Sequence, residues 1–201
     1  MISVEQARTL YTAGDTAHDW DHVLRVTALA VYIAQAEGAD VELVRAAALL
    51  HDIGLDNGRV EHQEVAAERA RVILAGQPPE KVEAVAHAIR SHRFRAGPPP
   101  QTIEAKCLFD ADKLDAIGAI GVARVFAYAG AHDQRLWAEV VPGYDERQVH
   151  GEHTPVHEFV VKLAKIKDRL TTQTGRRIGQ ERHDWMVAFF ARLEAEVKGK
   201  V

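Results

Sequence analysis

The chain has 201 residues and a formal net charge of −4, with 47% apolar and 27% charged residues. This length and composition predict one soluble globular domain that can bury a sizeable core. The acidic balance gives no basic footprint, so duplex nucleic acid is not an expected partner. No apolar run approaches the ~18 residues of a membrane span. The N-terminus lacks the pattern of a signal peptide, and the single cysteine, Cys107, cannot form an internal disulfide. We therefore expect a cytoplasmic protein without a membrane partner.

Apolar residues recur at helical spacing almost throughout the chain, which predicts an all-α fold. In chain order, the predicted helices cover residues 3–13, 18–37, 41–52, 62–75, 79–92, 103–130, 155–170 and 176–198. Glycine and proline mark most of the boundaries, and residues 131–153 follow no regular pattern. The breaks are too short for domain linkers. We expect a single domain over residues 1–201, with a core region at about 18–130 and C-terminal helices at about 155–198 packed on it.

Four polar residues stand at informative places in this helical pattern: His22, the adjacent pair His51-Asp52, and Asp112. His22 and Asp112 each lie one helical turn from an apolar residue of the expected inward face. His51 and Asp52 close the third helix. Three helices could thus bring four ligands to one point, as helical bundles do in metal sites. Imidazole nitrogen with carboxylate oxygen suits a divalent ion, although one inward histidine alone is more often a hydrogen-bonded core residue.

The segments around these residues carry a family resemblance. They read AHDWDHVLRV around His22, AALLHDIG around His51-Asp52 and FDADKLDAIGAIGVARVFAYAG around Asp112, and HTPVHEFVVKLAKIKDRLTTQTGR follows later. In this order they closely resemble the HD superfamily of metal-dependent phosphohydrolases, in particular a subgroup of small bacterial HD-domain proteins. The resemblance covers nearly the whole chain. It implies a helical bundle with a metal site between helices, where His22, His51, Asp52 and Asp112 hold one divalent ion.

The resemblance also implies a reaction, the hydrolysis of a phosphoester or phosphoanhydride. Some relatives in the subgroup convert nucleoside triphosphates to monophosphates, so the expected small-molecule substrate is a nucleotide and the favoured activity is triphosphate pyrophosphohydrolysis. Mn²⁺ is the favoured ion, with Mg, Co, Ni, Fe and Zn open. A closed structural zinc site is disfavoured because the chain has one cysteine. Two alternatives remain: a non-catalytic nucleotide-binding sensor, and an oxygenase with two irons, which some HD proteins hold.

Three further residues are predicted to act in catalysis close to the ion. Lys113 follows Asp112 directly and could hold a phosphate as a point charge, unless it lies on a solvated helix face. His62 and His92 stand at helix ends and could donate to a phosphate or shuttle a proton near neutral pH. The alternative for both histidines is an ordinary surface position. The resemblance favours the pocket, since the subgroup carries similar histidines in those places.

Three more candidates have less specific contexts. Asp56 stands where some nucleotide-hydrolysing HD enzymes carry a Glu-Asp pair that orients water, but the residue before it is leucine, and Asp56-Asn57-Gly58 is also good turn chemistry. Arg25 lies three residues after His22 and could bind a phosphate, or pair with an aspartate such as Asp115. His153, in the HTPVHEF context of the subgroup, is the other predicted substrate-binding residue.

Overall fold

The computed structural model describes residues 1–11, 20–54, 62–93, 98–144 and 153–200, and every regular element within them is helical, which confirms the all-α prediction. In these residues no single helix is both long and apolar enough to cross a membrane, and only one bent pair, Ile103–Leu114 with Gly118–Ala131, meets that test together by length and composition. The helices are α1 (Val4–Arg8), α2 (Trp20–Glu37), α3 (Val41–Leu50), α4 (His62–Ile73), α5 (Pro79–Arg90), α6 (Ile103–Leu114), α7 (Gly118–Ala131), α8 (Pro155–Val161) and α9 (Gln173–Val197), with a 3₁₀ helix at Leu163–Arg169.

The chain divides into two compact units, of which the first comprises Met1–Lys113 and Thr171–Gly175. In this unit α3 packs on α1, α2 and α5, and α4 packs on α5. Fully buried aliphatic side chains fill the space among these helices and α6: Val26, Ile33, Leu49, Leu50, Ile89 and Leu108. The packing of α2 on α3 places His22, near the start of α2, beside His51, just after α3, with ring centroids 5.4 Å apart.

The second unit comprises Leu114–Leu170 and Arg176–Val201. Here α7 packs on α8, and α8 on the 3₁₀ helix. The rings of Phe126 in α7 and Phe159 in α8 both stack on Phe190 in α9, with centroid distances of 6.2 and 4.3 Å. An aromatic cluster therefore holds these three helices together.

Local capping explains why the first helices were predicted well. Gly38 has a φ of +73°, which ends α2, and the Asp40 side chain accepts a hydrogen bond from the Leu43 N–H at 3.1 Å, which begins α3. The predicted helix at 3–13 is the exception, since α1 covers only Val4–Arg8 and Thr9 caps its C-terminus.

The single long helix predicted over 103–130 is wrong, because α6 ends at Leu114 and α7 begins at Gly118. Ile117 has an extended backbone, with φ −129° and ψ 168°, and Gly118 has a φ of +78°. A right-handed helix cannot run through either conformation. A Cβ at Gly118 would also lie 2.9 Å from Arg182 Cγ, so glycine permits a close approach of α9 here.

The predicted helix at 155–170 is also wrong in its second half. It ends at Val161, the backbone of Lys162 turns to φ −133° and ψ −58°, and residues 163–169 continue as a 3₁₀ helix. The last helix begins at Gln173, earlier than the predicted 176, because the Thr172 hydroxyl accepts from the Gly175 N–H at 2.9 Å and caps the first turn.

Candidate metal centre

His51 is fully buried just after the last residue of α3, and its own helix orients the ring. Its Nδ1 lies 2.8 Å from the carbonyl oxygen of Ala48 and donates to it. In the neutral ring, Nε2 then presents a lone pair. This Nε2 is buried and makes no hydrogen bond with the described residues. A buried nitrogen with an unused lone pair is suited to bind a metal ion.

The four predicted metal ligands come together around this nitrogen. Asp52 Oδ2 lies 3.3 Å from His51 Nε2 and 3.6 Å from His22 Nε2, which is itself 3.6 Å from Asp112 Oδ1. Donor atoms of His22, His51 and Asp112 all lie within 4.8 Å of one another. We call these three residues the first donor group. Their nitrogen and oxygen atoms match the chemistry of a divalent ion.

A second donor group lies on the other side of Asp52 and consists of Asp52, His62 and His92, again with donor atoms within 4.8 Å. Asp52 Oδ1 is 3.5 Å from His62 Nε2 and 3.7 Å from His92 Nε2, and the two nitrogens are 3.3 Å apart. His92 Nδ1 donates to the Ile89 carbonyl at 2.6 Å, so its Nε2 also presents a lone pair. Asp52 thus directs one oxygen to each group.

The alternative that His62 and His92 lie at the protein surface is wrong, because these two residues are only 8% and 3% exposed. Burial, followed by the positive charge on His51, lowers the pKa of His92 to about 3. A histidine with this pKa is neutral at pH 7. His92 therefore resists protonation near neutral pH and can bind a cation through Nε2.

The carboxylates of the site are ionised in spite of their burial. For Asp52, burial favours the neutral acid, but the positive charge of the neighbouring His51 holds the pKa well below its usual value. For Asp112, burial acts in the same direction and is outweighed by Lys113 and the neighbouring histidines, so its pKa is also lowered. The pKa of His51 rises to about 9, because the negative charges of Asp52 and Asp112 outweigh the opposing effect of burial. Two anionic carboxylates beside a histidine that can give up its proton form a site suited to a cation.

Lys113 lies against this site and is only 9% exposed, so the alternative of a solvated lysine is wrong. Its Nζ forms an ion pair with Asp112 Oδ2 and lies 5.4 Å from the centroid of the Phe109 ring. Arg25 is half-buried on α2, three residues after His22. The phosphate-binding roles of both residues stay predictions.

The remaining candidates lie elsewhere. Asp56 falls outside the described residues. His153 belongs to the second unit, where its Nδ1 accepts from the Tyr144 hydroxyl at 2.9 Å and its Nε2 lies 3.2 Å from Glu158 Oε2. In the same unit, Asp115 accepts from Arg124 at 3.0 Å. The substrate-binding role of His153 stays a prediction.

Gly54 contributes to the site and was not singled out from the sequence. A Cβ at this position would overlap the His62 carbonyl oxygen and lie 2.9 Å from the Ala66 nitrogen. The absence of a side chain therefore lets the turn after Asp52 lie directly on the first turn of α4, which carries His62. The signal was available, because a glycine two residues after a helix-ending His-Asp pair marks a close backbone approach.

Comparison with known proteins agrees with this architecture. The family model described as HD domain matches residues 19–117. The uncharacterized protein YpgQ of Bacillus subtilis (strain 168) is 36% identical over 207 residues, which cover 97% of this chain and 94% of YpgQ. The crystal structure of B. subtilis YpgQ in complex with ADP matches 99% of this chain and 100% of its own, with a TM-score of 0.75 and 33% identity.

A crystal structure of an HD-superfamily hydrolase from Bacillus thuringiensis gives a TM-score of 0.76 at 28% identity, covering 97% of this chain and 94% of that one. The chain belongs to the HD-domain family, and its fold is that of the HD-superfamily hydrolases.

Proposed function

We propose that this protein is a metal-dependent phosphohydrolase that acts on a nucleotide, with cleavage of a nucleoside triphosphate to monophosphate and pyrophosphate as the favoured reaction. The observation that carries the proposal is the convergence of His22, His51 and Asp112 beside Asp52. The nucleotide is supported by the similarity to YpgQ, which was crystallised with ADP.

His22, His51, Asp52 and Asp112 would hold one divalent ion, for which Mn²⁺ is favoured. When bound, such an ion lowers the pKa of water toward neutrality and offsets the negative charge of phosphoryl oxygens. The hydrogen bond from His51 Nδ1 to Ala48 fixes the ring so that Nε2 would be free to bind the ion. The buried carboxylates are ionised at neutral pH and need no deprotonation before they bind.

Two other groups have roles that their surroundings support. Lys113 places a buried positive charge beside Asp112, where it can attract the negative charge of a phosphate. His92 is neutral, and its Nε2 faces His62 Nε2 at 3.3 Å. His92 Nε2 can accept a hydrogen bond from His62 Nε2, which would orient the His62 ring, and His62 is the residue of the pair that we propose to exchange a proton with the substrate.

The test is turnover of a nucleotide panel by the full-length protein after chelation and addition of Mn²⁺, Mg²⁺, Co²⁺ or Ni²⁺ in turn. We expect pyrophosphate from at least one triphosphate, and loss of the activity to background in His51→Ala and Asp52→Ala. The matched control is His132→Ala, because His132 is an exposed residue of the second unit, where its Nδ1 lies 2.9 Å from the Tyr128 carbonyl oxygen. Full activity of both site variants would overturn the proposal, and tight nucleotide binding without product under any metal would favour a sensor.

One observation keeps the two-iron alternative open. Asp52 faces both donor groups, which is the position of a carboxylate shared between two ions. Metal analysis of the purified protein separates the two functions. Two irons per chain, with the second lost in His92→Ala and no phosphate released from any nucleotide, would favour the oxygenase.

A further inference from the structure

The C-terminal end of α3 needs partners from outside the helix, because the last four carbonyl groups of any α-helix have none within it. His51 Nδ1 donates a hydrogen bond to the carbonyl of Ala48 at 2.8 Å. The hydroxyl of Tyr11 donates a hydrogen bond to the next carbonyl, that of Leu49, at 2.9 Å. Tyr11 lies just after α1, so a residue far away in the sequence completes the turn that leads into the His51-Asp52 pair.

The same hydroxyl also contacts Asp52. The Tyr11 oxygen lies near the backbone N–H of Asp52, which limits the rise in the pKa of this phenol that comes from burial and then from the Asp52 charge. A tyrosine hydroxyl carries its proton at neutral pH, so it donates to the Leu49 carbonyl. One hydroxyl group is therefore bonded to the carbonyl of Leu49 and lies beside the amide of Asp52.

The turn is also held from its other side. An Arg69 guanidinium nitrogen on α4 donates to the carbonyl of Ile53, the residue after Asp52. The two ends of the short segment Leu49–Ile53 are thus fixed by side chains of different helices or turns. Between these ends lie His51, which belongs to the first donor group, and Asp52, which faces both groups.

We propose that Tyr11 is a positioning residue of the metal centre, whose hydroxyl fixes the backbone from which His51 and Asp52 reach the ion. The inference rests on the proposed function, in that these two residues hold a metal. Its contribution is separable from packing, because the Tyr11 ring lies against Trp20, with centroids 5.4 Å apart, and phenylalanine would keep that contact. Only the hydroxyl reaches Leu49 and Asp52.

The test compares Tyr11→Phe with wild type and with the matched control Tyr128→Phe, whose residue is 47% exposed on α7. Mn²⁺ affinity is measured by calorimetry on the chelated full-length chain, and amide hydrogen exchange of Asp52 is followed without metal. We expect Tyr11→Phe to bind Mn²⁺ about 10- to 100-fold more weakly, as for other groups that orient metal ligands. We also expect faster exchange of the Asp52 amide, a retained helical spectrum, and an unchanged control.

Mn²⁺ binding by Tyr11→Phe equal to that of wild type, or unchanged exchange of the Asp52 amide, would overturn the inference. Loss of the helical fold in Tyr11→Phe would also overturn it, by showing that the hydroxyl supports the whole unit. Failure of the wild type to bind Mn²⁺, Mg²⁺, Co²⁺ or Ni²⁺ contradicts the proposed function instead. In that case the exchange of the Asp52 amide still decides whether Tyr11 holds the turn.

Discussion

His51 is the residue at which the charges of the site and the binding of an ion compete. Without metal, the neighbouring carboxylates raise its pKa to about 9, above its usual 6.5. The imidazole therefore holds a proton on Nε2 at pH 7. An ion can bind only if that proton leaves, because a histidine must be neutral to act as a ligand.

We therefore expect metal binding to release about one proton per ion near pH 7. The affinity should rise with pH, by up to about tenfold per unit, and level off near the raised pKa of about 9. Calorimetry in buffers of different ionisation enthalpy measures the number of protons. His51→Ala should release fewer protons per ion, and an affinity independent of pH between 6 and 8 would contradict the prediction.

At the residue scale, the sequence was sufficient to single out the four residues of the motif, but it did not predict the contacts that hold them in place. His22 and Asp112 could be singled out because each lies one helical turn from an inward apolar residue, and His51-Asp52 because the pair ends a helix in a recognisable flank, while their role as metal ligands stays a prediction. The contact of Tyr11 with Leu49 spans 38 positions and depends on how α1 packs on α3, which no local pattern encodes. The two-sided position of Asp52 likewise depends on where α4 and α5 bring His62 and His92.

Among the elements, the turn after α3 and the start of α4 depend on Gly54. We expect Gly54→Ala to reduce the free energy of unfolding by about 1–3 kcal/mol, because the new methyl group would overlap the backbone of His62. Mn²⁺ affinity should fall as well, since the turn carries Asp52. Chemical denaturation and metal titration test both effects. The control is Gly76→Ala, where a Cβ would meet nothing within 4 Å, and equal effects at the two positions would contradict the prediction.

The start of α9 depends on Asp110 of α6, a fully buried carboxylate. Its two oxygens accept hydrogen bonds from the backbone N–H groups of Thr171 and Thr172, at 2.9 and 2.8 Å, and from both hydroxyls. We expect Asp110→Asn to reduce the free energy of unfolding by roughly 1.5–3 kcal/mol, because an amide cannot accept at both positions. Urea denaturation measures the loss. The control is Asp168→Asn, at a side chain 68% exposed, which should leave the free energy of unfolding unchanged. An unchanged free energy of unfolding in Asp110→Asn would contradict the prediction.

Helix boundaries show why the sequence was weaker at this scale. Periodicity runs unbroken from 103 to 130, yet the backbone leaves the helix at Ile117 and Gly118 because glycine permits a positive φ and a close contact with Arg182. Gly175 misled in the opposite way. The helix is predicted to begin at 176, directly after it, but Gly175 lies in the first turn of α9, where its missing side chain makes room for Asp110.

For the whole molecule, the ion should act as a stabilising ligand. The donor residues come from α2, the end of α3 and α6, which are distant in the sequence, so unfolding separates them and abolishes the site. At an ion concentration about 100 times the dissociation constant, binding contributes about 2.7 kcal/mol. For a chain of this length, that raises the midpoint of thermal unfolding by about 5–10 °C.

Scanning calorimetry with excess chelator and with excess Mn²⁺ measures this shift. We expect the helical content to be the same in both states below the transition. His51→Ala should lose most of the shift, and His132→Ala should keep it. A shift of equal size in His51→Ala would show that the ion stabilises the protein somewhere else.

The shared position of Asp52 has a consequence for how this architecture can diverge. Its Oδ2 atom serves the first donor group and its Oδ1 atom serves His62 and His92. Replacing either of those two histidines would remove the second group while the His-Asp pair stayed intact, so the number of ions can change by drift at positions outside the pair. Two relatives with identical His-Asp pairs can then catalyse different chemistry, and their activities are better sorted by the residues at positions 62 and 92 than by the motif itself.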